Sequence, residues 1–331
     1  ALARANEGYA MGYGNDPLSL DVAARIREVF EAPEAAVHLV ATGTAANSLI
    51  LATLAKPWQT VFCTEVAHIH EDECNAPELF TGGAKLVPVG HDAGKISPEA
   101  LRAAIEGEEV RGVHGPKRGP VALTQATEKG AVYALEELAA LTGLAAEFGL
   151  PVHMDGARFA NALVHLGCTP AEMTWKAGVT ALSFGGTKNG LMGVEAMVLF
   201  DPEKAEELEY RRKRGAQLFS KGRYLAAQMQ AYLEDDLWLE SARTANARAA
   251  QLARGVEAAG WRLVAPQQSN LIFADLPRRV HRRLMGEGAV YHIWEGSLEG
   301  DDPEEMLTAR LVCDWSIGKE DVARFCEIAA G

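Results

Sequence analysis

Short apolar runs rich in β-branched residues alternate with longer amphipathic stretches through the first two hundred residues. Strands of a parallel sheet are buried on both faces and joined by helices, so this alternation predicts an α/β fold with a mainly parallel sheet. Two of the intervening helices have clear end signals, residues 97–106 with Ser-Pro-Glu at the start and residues 134–148 with Gly149 after the end. The predicted strands are residues 37–41, 60–63, 85–89, 120–124, 151–155, 180–184 and 196–200.

The pattern changes at residues 201–259, where Ala, Glu, Arg and Leu dominate and no strand signal interrupts the sequence. We interpret this stretch as a helical bridge. Beyond it, we predict strands at 261–264, 270–275, 290–294 and 308–314, with helices at 278–286 and 319–329. We therefore expect a large α/β domain at residues 1–235 and a small C-terminal α+β domain, including a bridging helix, at residues 236–331.

Composition and charge narrow the class of partner. The chain has 331 residues, is 48% hydrophobic and carries a formal net charge of −13. Nucleic-acid binding needs clustered Lys and Arg, so we expect a small-molecule partner and no nucleic acid. No long uncharged apolar stretch predicts a membrane span, and the five cysteines are scattered without a C-x-x-C pair. We expect a soluble, cytoplasmic protein with reduced thiols and no membrane partner.

The first candidate for chemistry is Asp155, which ends the apolar run Val152-His153-Met154 and precedes a glycine turn and Arg158. Ligand sites of open parallel sheets form at the carboxyl ends of strands. A buried Asp at such a place needs a cationic or hydrogen-bonding partner, and the protonated ring nitrogen of a cofactor is one. An Asp that caps the following helix and pairs with Arg158 fits the same residues equally well.

The second candidate is Lys188, which lies between glycines in Gly185-Gly186-Thr187-Lys188-Asn189-Gly190, again after a predicted strand. Burial lowers the pKa of an amine and makes it nucleophilic toward an aldehyde, and neighbouring glycines let the backbone approach a flat ring. The alternative is a surface lysine in a glycine-rich turn.

A third motif, Thr42-Gly43-Thr44-Ala45-Ala46-Asn47, follows a predicted strand and leads into an apolar helix predicted at residues 48–54. Helix N-termini bind phosphate through free backbone amides, although an ordinary threonine cap fits as well. The chain contains neither a G-x-G-x-x-G nor a G-x-x-x-x-G-K-[ST] sequence, so a phosphate bound here would belong to something smaller than a dinucleotide.

Together these motifs resemble the low-specificity L-threonine aldolases, and closely the branch that includes the phenylserine aldolases. The resemblance extends over nearly the whole chain. It rests on Thr42 to Asn47, Ala67-His68, His153-Met154-Asp155-Gly156-Ala157-Arg158-Phe159, Gly185 to Gly190, Thr124-Gln125-Ala126-Thr127-Glu128 and residues 168–178. It implies a pyridoxal-phosphate enzyme of fold type I, with a mainly parallel large domain and a small α+β C-terminal domain.

The resemblance also implies roles for individual residues. Lys188 attaches the cofactor covalently, Asp155 pairs with its ring nitrogen and His68 stacks on the ring, and these three form the implied catalytic set. Arg158 and Arg310 match the arginines that grip the substrate α-carboxylate, a task that suits the bidentate guanidinium fork. The implied cofactor-binding residues are Lys188, Asp155, Gly43, Thr44, His68, Arg158 and Thr187.

Two of these implications remain open. His68 is the first candidate for the base that removes the β-hydroxyl proton, directly or through water, but stacking alone fits it too. Glu128 stands where many family members have a second active-site histidine, which leaves the preference between threo and erythro substrates open. Residues 68–73 combine histidines with carboxylates, yet their spacing matches no common metal motif, and we expect no metal.

The implied reaction cleaves L-threonine, L-allo-threonine or L-phenylserine type β-hydroxy amino acids to glycine and an aldehyde. A β-eliminating lyase or aminotransferase of the same fold is the alternative, because the cofactor supplies the reactivity and the pocket selects the bond. A cofactor-free binding protein on the same scaffold is a further possibility. The resemblance implies a homodimer or homotetramer with shared sites, in which Lys221 or Arg223 reaches a neighbour's phosphate.

Overall fold

The computed structural model describes residues 1–331 and contains two main sheets and one short hairpin. Seven strands form the large sheet in the order β1-β9-β8-β7-β6-β2-β3, four form the small sheet in the order β10-β11-β13-β12, and β4 pairs with β5. The strands are β1 Ala36–Val40, β2 Thr60–Thr64, β3 Lys85–Val89, β4 His91–Asp92, β5 Lys95–Ile96, β6 Val121–Thr124, β7 Val152–Gly156, β8 Ala181–Gly185, β9 Glu195–Leu199, β10 Arg262–Leu263, β11 Leu271–Pro277, β12 His292–Glu295 and β13 Met306–Val312.

Thirteen α-helices connect and cover these strands. Their ends follow local chemistry: the Ser97 side chain accepts the Ala100 N–H at the start of α6, and Gly149, at φ +67°, follows the end of α7. The helices are α1 Leu2–Ala5, α2 Pro17–Val29, α3 Gly43–Leu54, α4 His68–Glu71, α5 Ala76–Thr81, α6 Pro98–Gly107, α7 Leu135–Glu147, α8 Phe159–Leu166, α9 Ala205–Arg214, α10 Arg223–Leu233, α11 Leu237–Ala258, α12 Arg278–Gly286 and α13 Lys319–Ala330. None of them combines the length and apolarity that crossing a membrane requires.

The large sheet confirms the predicted mainly parallel α/β architecture. Strands β3, β2, β6, β7 and β8 run parallel, while β9 is antiparallel to both of its neighbours. All seven predicted strands are present, and their ends differ from the prediction by at most one residue. Because helices cover both faces of this sheet, its strands are near-continuous apolar runs, and such runs are easily recognised in the sequence.

Alternate side chains of the large sheet enter two different cores. On β8 and β9, Leu182 and Phe184 pack with α2, α8 and α10 in the main core, whereas Ala181, Met197 and Leu199 pack against α3 on the opposite face. Full burial of such side chains contributes roughly 1.5–3 kcal/mol each. This two-sided packing fixes the strand register, and with it the positions of the strand ends.

The small sheet is antiparallel throughout and confirms the predicted α+β C-terminal part. Its apolar face packs on α12, α13 and the second half of α11, with Ile272, Leu276, Leu311 and Val322 among the buried residues. Strand β13 lies at its centre, between β11 and β12.

The helical stretch predicted as one bridge consists of three helices with different positions. Helix α9 packs on α3 and α10 packs on α2, so both belong to the layers of the large sheet. Only α11 links the two sheets: Ala242 lies in the main core and Ala249 in the core of the small sheet. Helical composition alone could not distinguish covering helices from a connecting one.

Candidate active site

Asp155 and Lys188 come together at the carboxyl ends of neighbouring parallel strands. Asp155 on β7 pairs in register with Ser183 on β8, and Lys188 follows β8 in the 3₁₀ turn Thr187–Asn189. The charges are close enough for the Lys188 ammonium to lower the pKa of Asp155 and for the carboxylate to raise that of the lysine. The two residues that the sequence singled out therefore share one site.

The Asp155 carboxyl group is buried and held as a hydrogen-bond acceptor. Its Oδ1 accepts the Ala157 N–H at 2.9 Å and its Oδ2 accepts the Asn47 Nδ2–H at 2.9 Å. Burial alone would raise the pKa of Asp155, but the Lys188 charge and these donated hydrogen bonds outweigh it, and the pKa lies below its usual value. A buried carboxylate of this kind has lone pairs left for one cationic N–H partner.

The turn that carries Lys188 leaves no room for side chains on its glycines. A Cβ on Gly185 would lie 2.6 Å from the Ala157 carbonyl oxygen. The Gly186 N–H donates to Glu195 Oε2 at 2.6 Å, and the Val194 N–H donates to the Thr187 hydroxyl at 3.2 Å. Strand β9 thus fixes the turn and also engages Thr187, one of the predicted cofactor-binding residues.

Lys188 is exposed to solvent, yet its amine is partly desolvated and lies near charged side chains. Desolvation and the Arg158 charge lower the pKa of Lys188 by more than the Asp155 and Glu195 carboxylates raise it. A lowered amine pKa increases the uncharged, nucleophilic fraction near neutral pH.

The N-terminus of α3 faces open space beside Gly43. The Thr42 hydroxyl caps the helix by accepting the Ala45 N–H at 3.2 Å, while a Cβ on Gly43 would meet no atom within 4 Å. The first amides of a helix, here those of Gly43 and Thr44, have no partner within it. The predicted helix start at residue 48 is wrong: α3 begins five residues earlier, at Gly43.

His68 begins α4 and is held at both its ring and its backbone. Its Nδ1 lies 2.8 Å from Glu73 Oε1, and its backbone N–H donates to Glu128 Oε1 at 3.0 Å. The hydrogen bond to Glu73 raises the pKa of His68, which outweighs the opposing effect of burial. The ring remains 34% exposed and so accessible from the site.

Two arginines from different parts of the fold, one following β7 of the large sheet and one on the small sheet, influence each other electrostatically. Arg158 caps α8 next to the large sheet and Arg310 lies on β13 of the small sheet, where its guanidinium is 6.0 Å from the Trp294 ring centroid. Burial and then the Arg310 charge lower the pKa of Arg158 to about 10, and its buried Nε has no partner in the protein. Two cations near enough for the charge of one to lower the pKa of the other suit an anionic ligand such as a carboxylate.

Three polar residues of the site were missed or left without a role by sequence reasoning. Asn47 and Glu73 are almost fully buried, and Asn47 Nδ2 donates to Glu73 Oε1 at 2.8 Å as well as to Asp155. Glu128 accepts the Thr124 hydroxyl at 2.7 Å, while its Oε2 is buried without a partner, and burial raises its pKa. For Asn47, the only local signal in the sequence was its position as a polar residue inside the apolar run that follows Gly43.

The remaining candidates from the sequence are the cluster at residues 68–73 and the pair Lys221 and Arg223. Within the cluster at residues 68–73, His68 contacts Glu73, but His70 contacts the Glu65 backbone carbonyl oxygen at 2.8 Å. Lys221 is exposed, and the Arg223 guanidinium lies 5.2 Å from the Tyr224 ring centroid in the same chain.

Comparison with known proteins identifies the family. A site that joins a strand-end lysine and aspartate on this fold is that of a pyridoxal-phosphate-dependent enzyme. Residues 1–278 match the Beta-eliminating lyase family model. The chain is 41% identical to the low specificity L-threonine aldolase of Pseudomonas aeruginosa and 40% identical to that of a Pseudomonas species, with 99% and 100% of this chain and 91% of each relative covered. The chain belongs to the beta-eliminating lyase family, in the group of the low-specificity threonine aldolases.

Solved structures agree with this assignment. Leishmania major threonine aldolase has a TM-score of 0.91 at 28% identity, covering 99% of this chain and 93% of its own. Serine palmitoyltransferase from Sphingomonas wittichii shares the fold, with a TM-score of 0.72 at 16% identity over 99% of this chain and 81% of its own.

The residues of the site fit pyridoxal phosphate, the cofactor of this family and fold. Asp155 offers a buried carboxylate to a ring nitrogen, Lys188 offers an amine of lowered pKa to an aldehyde, and Gly43 leaves open space beside free helix amides. These three features match the three functional groups of the cofactor.

Proposed function

We propose that this enzyme cleaves the Cα–Cβ bond of β-hydroxy amino acids such as L-threonine, L-allo-threonine and L-phenylserine, giving glycine and an aldehyde. The observation that carries the proposal is the convergence of Lys188 and Asp155 with the arginine pair Arg158 and Arg310 in one site. The names of the curated relatives support threonine as a substrate. Phenylserine rests on the resemblance of the motifs to that branch of the family.

In this proposal Lys188 would hold the cofactor covalently through Nζ, and Asp155 would keep the proton on its ring nitrogen. His68 would stack on the ring, Gly43 and Thr44 would hold the phosphate through their amides, and Thr187 and Arg158 would complete the cofactor site. The bound cofactor supplies an electron sink for the electrons of the broken bond. Asp155 is suited to its task because its lowered pKa keeps it an acceptor for the ring proton.

The arginine pair orients the substrate. Arg158 and Arg310 bind the α-carboxylate and so hold the Cα–Cβ bond at the angle that the reaction requires. His68 Nε2 then takes the proton of the β-hydroxyl as the aldehyde leaves, a transfer for which imidazole side chains are generally suited.

The decisive experiment is product analysis of the purified enzyme, loaded with pyridoxal phosphate, after incubation with L-threonine, L-allo-threonine and L-phenylserine. We expect glycine with acetaldehyde from the first two and glycine with benzaldehyde from the third. Ammonia and a keto acid would instead identify a β-eliminating lyase, and transfer of the amino group to a keto acid would identify an aminotransferase.

We further propose a homodimer or homotetramer with active sites shared between subunits, in which Lys221 or Arg223 reaches a neighbour's phosphate. A cytoplasmic location is supported by five cysteines that are all free. Two cores separated along α11 support the division into a large domain at residues 1–235 and a small domain at residues 236–331. Light scattering of the purified protein gives the mass that tests the assembly.

A further inference from the structure

A buried chain of hydrogen bonds links His68 to Asp155 through two residues. His68 Nδ1 lies 2.8 Å from Glu73 Oε1, Asn47 Nδ2 lies 2.8 Å from the same oxygen, and Asn47 Nδ2 lies 2.9 Å from Asp155 Oδ2. Asn47 and Glu73 are only 1% and 3% exposed. The two residues proposed to contact the cofactor ring are therefore joined to each other through the protein.

The chemistry of the chain fixes the orientation of Asn47. Its two neighbours, Glu73 and Asp155, are both carboxyl groups that accept hydrogen bonds, and only the NH₂ end of an amide donates two. The opposite orientation would turn Oδ1 toward two carboxylate oxygens. Asn47 Oδ1 itself has no partner, so donation by Nδ2 accounts for every hydrogen bond this side chain makes.

The same argument fixes the proton on His68. Glu73 Oε1 accepts, so the His68 Nδ1 must carry a hydrogen, and a neutral imidazole with a proton on Nδ1 has a free lone pair on Nε2. The backbone N–H of His68 is bound to Glu128 Oε1 at 3.0 Å, which holds the residue from a second side. A neutral His68 ring in this tautomer is partly exposed and has an unprotonated Nε2.

We propose that Glu73 is a positioning residue, held in place by Asn47, that keeps His68 in the tautomer with its proton on Nδ1 and leaves Nε2 as a proton acceptor. This inference rests on the proposed function only for the use of that acceptor, the removal of the β-hydroxyl proton. The orientation of a base by a carboxyl group on its other nitrogen is a general device of acid–base sites.

The charges around the His68 ring also support a role for Glu73 in setting the basicity of that histidine. The Glu73 hydrogen bond raises the pKa of His68, burial and the Lys188 charge lower it, and Asp155 raises it. Glu128 is the remaining ionisable group in contact with the residue, through its backbone. Because Glu73 provides the largest of these effects, its carboxylate makes Nε2 a stronger base.

The tautomer can be read directly in the unmodified enzyme. Neutron diffraction from crystals of the loaded enzyme, grown above the pKa of His68, locates the ring hydrogen. We expect density for hydrogen on Nδ1 and none on Nε2. A hydrogen on Nε2 with Nδ1 bare would overturn the proposal, whatever the catalytic activity.

The Glu73→Gln variant tests the effect of the carboxylate. It preserves the size and an acceptor oxygen but removes the charge, so the titration midpoint of His68 should fall by about one pH unit or more. TROSY spectra of enzyme labelled at histidine Cε1 follow the midpoint, with His68→Gln identifying the signal. Glu71→Gln is the matched control, because Glu71 is exposed on α4, the helix of His68, and the substitution removes the same charge.

The pH profile of kcat/KM for L-threonine separates this inference from the proposed function. In Glu73→Gln the acid limb should move to lower pH with the His68 midpoint, and the plateau should fall because Nε2 is a weaker base. An unshifted midpoint in a folded Glu73→Gln variant would refute the role of Glu73 while leaving the aldolase proposal intact. Glycine formation that fails in wild type, with the tautomer as expected, would refute only the proposed reaction.

Discussion

The two sheets contribute to one site in different ways. The large sheet supplies Asp155 and Lys188 from the ends of neighbouring parallel strands, where a loop follows each residue. The small sheet supplies Arg310 from within β13, a central antiparallel strand. With the roles proposed above, this difference amounts to a division of labour in which the large sheet would serve the cofactor and the small sheet would help to orient the substrate.

The largest effect that tests this division is expected from Asp155→Asn. An amide in place of the carboxylate cannot hold a proton on a ring nitrogen, so kcat should fall at least about 100-fold, as when a preorganised polar partner is removed. The absorbance of the bound cofactor should change as well. Steady-state kinetics and absorbance spectra measure both, with the exposed Asp301→Asn as control. A variant with wild-type kcat would contradict the assignment of Asp155 to the cofactor.

Arg310→Lys probes the small sheet. Lysine keeps the charge but loses the bidentate fork, so kcat/KM should fall roughly 10- to 100-fold, mainly through KM. The cofactor spectrum should stay unchanged, since Arg310 is assigned to the substrate. Arg262→Lys, an exposed position on β10 of the same sheet, serves as control. If the spectrum changed and KM did not, the assigned division would be reversed.

The smallest expected effect sharpens the contrast within the large sheet. Gly185→Ala places a Cβ 2.6 Å from the Ala157 carbonyl oxygen, which should cost about 1–3 kcal/mol of unfolding free energy. Gly143→Ala, on α7 with no atom within 4 Å of the added Cβ, should stabilise by about 0.5–1 kcal/mol. Urea denaturation compares the two, and equal stabilities would show that the strand end tolerates a side chain.

The same contrast explains what the sequence could predict. Asp155 and Lys188 were recognisable as site candidates because each comes at the end of an apolar run. Each also lies beside glycines, which are typical of tight turns. Arg310 has no such local signal, since an arginine in an antiparallel strand looks like any outward-facing position. It was identified only through the resemblance to a family.

Asn47 and Glu73 show the limit of local reasoning. Their hydrogen-bond partners lie far away in the sequence, with Asp155 separated from Asn47 by 108 positions. The one local signal at Asn47, a polar residue inside an apolar run, does not distinguish a buried amide from an ordinary helix residue. Glu73 lies in a cluster of histidines and carboxylates, the residue types that bind metals. Asn47 meets Glu73 and Asp155 only because α3 packs against both the α4–α5 region and β7 in the folded protein.

The central claim is that Lys188 holds the cofactor, and peptide mapping tests it most directly. Enzyme loaded with pyridoxal phosphate is reduced with borohydride, digested and analysed by mass spectrometry. We expect the added pyridoxyl phosphate mass on the peptide that contains Lys188, and its absence from that peptide in Lys188→Ala. A stoichiometric label on a different lysine, with Lys188 unmodified, would contradict the account.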